Sequence, residues 1–406
     1  MSETLLRPRV LGFALLAALL IIFPFLHTWP FFEGFIGPFR TFQAASFAYW
    51  LVMLLGMNLL TGYSGQISLG HAALVAVGAY VTAILFHQYS VPLGLAVLVA
   101  GLATGLVGGV IIGIPAVRLH GPYLAIATFS LIVALPQILK MNIEVAGLGI
   151  NLTQWTKGTR GISVGEIHAP GPLDGFMDER QWLYYMSMLT AVIMTLISWN
   201  LIRSRIGRAF AGVRDSDIAA QQMGINVRLY KALAFGISSC YAGVGGGLFV
   251  MAQGVISPAS MDVLTSINFL IAIVIGGLAT ILGSILGALY LTFQGELVST
   301  LAPPISRVVP SQLVQDPETL RGVIFGSVLV ITMISFPRGL AGAVHKLVRW
   351  DSGQRAGPPN LRGSLASLRA VASFARLRWL RQGTDSKPSH TDPTREGTDH
   401  QDEGRG

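Results

Sequence analysis

Apolar residues fill long blocks of this chain, and short polar breaks separate them. A helix needs about 20 apolar residues to cross a bilayer, at 1.5 Å of rise per residue. Blocks of that order recur at 10–26, 41–60, 66–87, 92–117, 121–139, 182–202, 231–253, 263–279, 281–297 and, shorter, 321–336. The pattern predicts an all-α fold, a polytopic membrane bundle of about eight to ten transmembrane helices with broken, glycine-rich segments. Around Gly276 and Gly277 the sequence reads either as two spans or as one broken, re-entrant element. The first block follows Arg7 and Arg9 and has no small-x-small cleavage site within 27–40, so an uncleaved span is expected there.

Composition agrees with lipid as the solvent. Of 406 residues 52% are hydrophobic and 12% charged, against about 25% charged in soluble domains. The formal charge is +8, and in a soluble chain that balance would raise the question of nucleic acid. Here the basic residues gather in loops and in the tail, which fits membrane orientation and no nucleic-acid partner. The single cysteine, Cys240, has no intrachain disulfide partner and sits in an apolar block, where it reads as a small packing residue.

Short loops rich in Arg and Lys stay on the cytoplasmic side. The loop after 182–202 carries Arg203, Arg205, Arg208, Arg214 and Arg228 against Asp215 and Asp217. Threading ten spans from a cytoplasmic N-terminus places this loop (203–231) and the basic C-terminus inside. It places the 140–181 loop outside, where Lys140, Lys157, Arg160 and Arg180 are balanced by Glu144, Glu166, Asp174, Asp178 and Glu179. The expected organisation is a transmembrane domain over 1–340, a basic amphipathic cytoplasmic segment over 341–382 and a disordered polar tail over 383–406.

Glycine is abundant, at 47 residues, and Gly101/Gly105, Gly109/Gly113, Gly243/Gly247 and Gly283/Gly287 form small-xxx-small pairs that let helix backbones approach. Three segments stand out from ordinary membrane helix. The first, from Asn58 to Tyr80, joins two apolar blocks through a polar stretch containing Thr61, Ser64, Gln66, Ser68 and His71. It admits two readings: a plain turn at the membrane surface, or an unwound stretch whose backbone is free to meet a solute. On the second reading Ser64, Gln66, Ser68 and His71 lie near a translocation pathway, with Tyr123 and Thr128 as further members. The second segment runs from Ser204 to Lys231. Ile206, Phe210 and Val213 recur at helical spacing, then Ile218, Gln222 and Ile225, with Asp215 or Asp217 placed to cap the second stretch and Gly224 to end it. A short amphipathic helix in a cytoplasmic loop suits docking into a groove on a soluble partner. The third, Ile271 to Glu296, holds glycines that permit a kink or re-entrant turn, and Glu296 closes an apolar run as an interfacial carboxylate.

Several chemistries lack their residues. There is no G-x-x-x-x-G-K-[ST] phosphate loop, no H-E-x-x-H, no Cys/His cluster with metal spacing and no G-x-S-x-G elbow. The chain is therefore expected to be no enzyme, with no cofactor, no metal and no catalytic residues. A secondary transporter or channel would need intramembrane ionisable groups for a coupling ion, and the blocks are nearly free of them.

At these segments the chain resembles the permease family of branched-chain amino acid ABC importers, on the side of the second, larger permease. The stretch Gly62-Tyr-Ser-Gly-Gln-Ile-Ser-Leu-Gly-His-Ala-Ala73 resembles the family's N-terminal signature, and 204–226 its cytoplasmic coupling loop. Gly121 to Phe129 and Ile275 to Ser284 are similar as well, and the resemblance spans roughly 41–340. Importer permeases of this class share a loop E-A-A-x-x-x-G that meets the ATPase. Ala219, Ala220 and Gly224 match it, with Ile218 in the place of the Glu and Asp217 beside it. The resemblance thus implies that Gly207, Arg208, Asp217, Ala219, Ala220 and Gly224 form the ATPase-coupling surface. It also implies a second permease subunit, two cytoplasmic ABC ATPases and a periplasmic solute-binding protein, in a bacterial inner membrane. Branched-chain amino acids are the implied cargo, with urea, short amides or other small solutes as alternatives that related permeases carry. The outer stretch Thr156 to Ile162 departs from the family's uncharged, glycine-rich pattern through Lys157 and Arg160.

Between Ser352 and Thr384 there is no acidic residue, while Leu361, Leu365, Leu368, Ala372, Ala375 and Trp379 recur at helical spacing among six arginines. Such a helix lies along an anionic leaflet. A chain ending near Arg381 is expected to bind anionic vesicles more tightly than one ending near Phe336, in a sedimentation assay; equal binding would remove the anchoring role.

Overall fold

The computed structural model describes residues 38–305 apart from 120, 142–143, 146–149, 152–154 and 166–177, together with 326–327, 330 and 339–342. The expected spans at 10–26 and 321–336 fall outside the described residues, entirely or nearly so, as do the amphipathic segment and polar tail beyond residue 342. The described part is almost wholly helical. In chain order the helices are α1 (Pro38–Met57), α2 (His71–Tyr89), α3 (Leu93–Val107), α4 (Pro122–Lys140), α5 (Glu179–Arg203), α6 (Arg205–Asp215), α7 (Asp217–Gln222), α8 (Val227–Gln253), α9 (Val263–Gly276) and α10 (Ile281–Ile305). α1 runs on into a π-helical turn, Asn58–Tyr63, and α3 into another, Gly108–Ile112, followed by one α-turn to Ala116.

Among the described residues six stretches are long and apolar enough to cross a membrane: Arg40–Tyr63, His71–Tyr89, Leu93–Ala116, Pro122–Lys140, Glu179–Arg203 and Val227–Gln253. Several boundaries move from where hydropathy alone puts them. The block at 66–87 becomes a helix only at His71, because the residues before it form an irregular, non-helical stretch. The block at 231–253 begins four residues earlier, where Asn226 caps Val227–Gln253 by accepting from Leu229 N.

α8 is the central helix. Its glycines remove side chains where other backbones pass, so it packs on α1, α2 and α3 together. A Cβ on Gly78 of α2 would meet the Gly243 backbone, and a Cβ on Gly245 would meet the Met53 side chain of α1. Gly101 and Gly105 of α3 lie over Cys240, and Gly109 and Gly113 over Gly236 and Ala232. The lone cysteine therefore fills a helix–helix seam. Around this axis a cluster including Met53, Leu54, Leu74, Val75, Phe269 and Ile273 is almost completely buried. The outer faces of α3, α4 and α5 expose Leu98, Leu102, Leu106, Ile126, Leu189 and Leu196, as a bundle does when lipid surrounds it.

α9 and α10 resolve the ambiguity at Gly276. They are two antiparallel helices joined by a four-residue tip, Gly277–Thr280, with Gly276 against Gly283 and Gly287 against Ala272. α9 has 14 residues, about 21 Å at helical rise, which is shorter than the ~30 Å hydrocarbon core.

Among the described residues two tiny antiparallel ladders involve the long loop. One pairs Ile162–Ser163 with Val255–Ile256, directly after α8. The α6–α7 loop directly precedes α8, whose 27 residues extend about 40 Å. The Ile162–Ser163 ladder and the α6–α7 loop consequently sit at opposite ends of α8.

Gly78→Ala is expected to destabilise the bundle by about 1–3 kcal/mol, the usual range for overpacking, because its methyl group would enter the Gly243 backbone. Gly295→Ala, whose Cβ meets nothing, should be neutral. Thermal unfolding of the detergent-solubilised protein followed by size-exclusion chromatography separates the two.

Candidate functional site

Between α1 and α2 the chain leaves helical winding inside protein. From Ser64 to Ser68 burial alternates with a period of two: Ser64, Gln66 and Ser68 face inward while Gly65 and Ile67 are exposed. The backbone there is irregular, neither helix nor strand: Ser64 keeps right-handed dihedrals and Gly65 is left-handed, φ +72°. Of the two readings open from the sequence, the structure supports the buried, unwound stretch. Backbone groups freed in such a place need protein partners, and side chains of α4, α6 and α9 are among those that supply them.

The π-turn begins at Asn58, 1% exposed. Its amide uses three hydrogen-bonding positions on the α9–α10 tip. Nδ2 donates to the Thr280 carbonyl at 2.8 Å and to Ser284 Oγ at 2.9 Å, and Oδ1 accepts from Ala279 N at 2.9 Å. The tip is itself bent, since Ala279 has φ +57°, a conformation non-glycine residues seldom take. Gly62 is wedged between Asn58 Oδ1 and Ala279 N with no room for a Cβ. The Gly62 carbonyl, turned away from α-helical bonding, accepts from Arg214 Nη1 at 2.8 Å. Arg214 belongs to α6, and its stem lies on Gly65, where a Cβ would meet Arg214 Cγ at 3.0 Å.

Farther along, Gln66 Nε2 donates to Ser64 Oγ at 2.7 Å and to the Lys231 carbonyl at 3.4 Å. Leu69 N donates to Thr128 Oγ1 at 3.0 Å, and Ala72 N, in the first turn of α2, to Ser266 Oγ at 3.1 Å. His71 is fully buried, with Nε2 3.1 Å from the Met53 carbonyl and its ring edge-to-face with Phe269. The structure thus gathers Ser64, Gln66, Ser68, His71 and Thr128 around one broken segment. Tyr123 stands apart, 71% exposed on the outer face of α4.

The 204–226 loop folds into two short helices. Ser204 caps α6 by accepting from Ile206 N and Gly207 N. Gly207 sits against the Ile202 carbonyl with no space for a Cβ, and Arg208 Nη1 donates to the Arg203 carbonyl at 3.0 Å. Between the helices the cap is Ser216, whose Oγ accepts from Ala219 N, in place of the expected Asp215 or Asp217. A hydroxyl in extended backbone serves this position as well as a carboxylate, and it leaves Asp217 to pair with Lys231 of α8. Gly224 ends the unit in the left-handed region, φ +79°, with open space around it. Ala220 is buried with Val213 and Val227, whereas Ala219, Ile218 and Met223 face outward, the last two 74% and 82% exposed. A cavity of about 410 Å³ lies between this unit and the broken segment, lined among others by Ser64, Gln66, Arg214, Asp217 and Lys231.

Asn58, Arg214, Lys231, Ser266 and Ser284 were not singled out by sequence. For Asn58 a signal existed: a lone amide in an apolar block must find partners or lose much stability. At the other end of α1 and α10, Glu296 accepts from Gln43 Nε2 at 2.7 Å and lies 3.7 Å from Arg40, so the interfacial carboxylate is engaged within the chain. Among the described residues no group of His, Cys, Asp and Glu could hold a metal ion.

A bundle of long apolar helices interrupted by an unwound, buried polar segment has the architecture of a membrane transport component. The comparisons agree: residues 40–333 match the family of the branched-chain amino acid transport system, permease component, and the chain belongs to that family. Over 319 residues it is 30% identical to the high-affinity branched-chain amino acid transport system permease protein LivM of Salmonella typhimurium, covering 76% of this chain and 71% of the relative. It is 29% identical to the LivM of Escherichia coli K12 over the same coverage. A shorter match, 27% over 122 residues and 29% of this chain, reaches the autoinducer 2 import system permease protein LsrC of Escherichia coli, 35% of whose length is covered. No solved structure matches at a significant level. The protein is a multi-pass membrane permease.

Thr128→Val and Ser266→Ala each remove an acceptor from a backbone N–H, which costs about 1–3 kcal/mol when the donor stays buried. Faster amide exchange confined to residues 69–72 is the expected outcome by hydrogen–deuterium exchange mass spectrometry.

Proposed function

We propose that this chain is the larger of two permease subunits in an ATP-driven ABC importer of branched-chain and other hydrophobic amino acids. The observation that carries the reading is the family match over the whole described bundle, joined to the direct hydrogen bond between the α6–α7 loop and the broken segment. On this reading the 203–231 loop is cytoplasmic and receives the ATPase, both termini are cytoplasmic, and the 140–181 loop faces the periplasmic binding protein of a bacterial inner membrane. Gly207, Arg208, Asp217, Ala219, Ala220 and Gly224 form the coupling surface. Gly207 and Arg208 set α6 against α5, Asp217 holds α7 to α8 through Lys231, and Ala219 and Gly224 border the exposed Ile218 and Met223 that enter the partner's groove. Ser64, Gln66, Ser68, His71 and Thr128 belong to the pathway, and Tyr123 meets lipid or a neighbouring subunit from outside. No chemistry occurs on the chain; nucleotide is hydrolysed on the two ATPase partners.

The amino-acid cargo rests on the LivM relatives, which match over 319 residues. LsrC, the permease of another solute's import system, matches over 122. In proteoliposomes holding both permeases and the ATPases, with binding protein outside, labelled leucine is expected to accumulate only with nucleotide inside. Uptake of urea but not leucine would replace the cargo. Uphill transport by this chain alone, without an ATPase, would remove the ABC assignment.

Gly224→Trp is expected to reduce ATP-dependent uptake to background while membrane insertion stays normal: no neighbour lies within 4 Å, the left-handed φ of +79° strains the turn that ends α7, and the new side chain projects where the partner docks. Retained uptake would move the docking surface elsewhere.

A further inference from the structure

We infer that Arg214, the Gly62 carbonyl and Asn58 form a mechanical link that carries movement of the α6–α7 loop to the α9–α10 tip, and that this tip is the moving gate at that end of the bundle. The inference rests on the reading of the α6–α7 loop as the site of ATPase docking, and goes beyond it by naming the path and the part that moves.

Three features carry it. First, each joint is a hydrogen bond between elements far apart in sequence: Arg214 to Gly62 over 152 residues, and Asn58 to the tip over more than 220. Second, the pieces between the joints are rigid by exclusion. Gly62 fits between Asn58 and Ala279 without room for one more carbon, so a pull on the Gly62 carbonyl displaces Asn58 and the tip together. Third, the tip is built to have an alternative. Its Ala279 sits in a strained left-handed conformation, held by acceptance of its N–H at Asn58 Oδ1, and strain of this kind persists only where surroundings impose it. Release of that one amide lets the turn relax. The wide winding at Asn58–Tyr63 supplies the rest, because a π-turn turns a carbonyl outward to a partner that an α-turn would have kept inside. Asn58 and Arg214 are positioning residues here, and neither needs to touch the solute.

The test uses the full importer with Cys240→Ala as background and a single reporter thiol at Leu278→Cys, a tip position 42% exposed. Thiol labelling is followed with and without trapped nucleotide, alongside uptake, ATP hydrolysis and co-purification of the ATPases. In the background, nucleotide is expected to change the labelling rate of the tip. Arg214→Ala leaves the hairpin untouched. It should keep the ATPases bound and hydrolysing, abolish the nucleotide dependence at residue 278, and lower uptake by roughly 5- to 150-fold, the span of ordinary coupling between sites. Arg214→Lys, which retains a cationic donor on a long stem, should restore part of both. Asn58→Asp, which loses both donations to Thr280 and Ser284, should fix the tip in one labelling state regardless of nucleotide, whereas Ser284→Ala, which loses one bond of three, should be mild. Tip labelling that still follows nucleotide in Arg214→Ala would overturn the link. So would a tip indifferent to nucleotide in the background while uptake proceeds. Failure of any ATPase to co-purify with the unaltered permeases would instead strike the docking assignment, a separate result.

Discussion

A backbone amide that leaves helical winding inside an apolar bundle has no water to turn to. The structure around residues 58–72 is organised by that constraint. Asn58 faces the α9–α10 tip, Arg214 reaches the Gly62 carbonyl, Thr128 takes Leu69 N and Ser266 takes Ala72 N. Each partner comes from a different helix or turn, so the polar segment becomes the point at which α4, α6, α9 and α10 are referred to one another. Where a uniformly helical bundle would need only packing to set its helices, this one also uses directed hydrogen bonds. Those hold fixed orientations and lose their strength over short displacements.

The central helix ties the arrangement together. α8 presents glycines to α1, α2 and α3, and side chains such as Met53, Thr82 and Thr104 seat against them, so the seams are close-packed. One end of α8 is held to the 140–181 loop by the short ladder at Ile162–Ser163, and the other carries the Lys231–Asp217 pair that holds α7. A displacement received by the α6–α7 unit therefore reaches a helix that is fastened at its far end.

The fold class was legible because the hydrophobic blocks are long and because charge in the loops alternates in sign balance, two signals that need no tertiary knowledge. The glycine pairs were legible for the same reason: small residues four apart mark a helix seam. Boundaries failed where a tertiary partner replaced a local signal. Hydropathy extends the second span back to residue 66, yet the chain is irregular there. Gln66 donates to the Lys231 carbonyl and Leu69 N to Thr128, so distant residues hold a stretch that local apolarity would have wound into helix. Ser216 displaced two acidic neighbours as the cap of α7 because it alone of the three stands in extended backbone at the helix start. Of the site, the polar cluster Ser64, Gln66, Ser68, His71 and Thr128 was visible as residue types out of place in lipid. The bonds made by Asn58 and Arg214 were invisible, since their partners are mostly backbone atoms more than 150 residues away and carry no side-chain signature.

The wide turn at Asn58–Tyr63 also fixes rotational phase. A regular helix advances about 100° per residue, and a π-turn accommodates one residue more than regular winding would. Shortening this turn by a single residue would leave hydropathy, length and charge almost unchanged. It would still rotate α1 relative to everything that follows, carrying the Asn58 amide about a quarter-turn off the hairpin and the Gly62 oxygen out of reach of the guanidinium. Insertions and deletions in the chain are consequently unequal: the loops can absorb them, while this half-dozen residues keeps count.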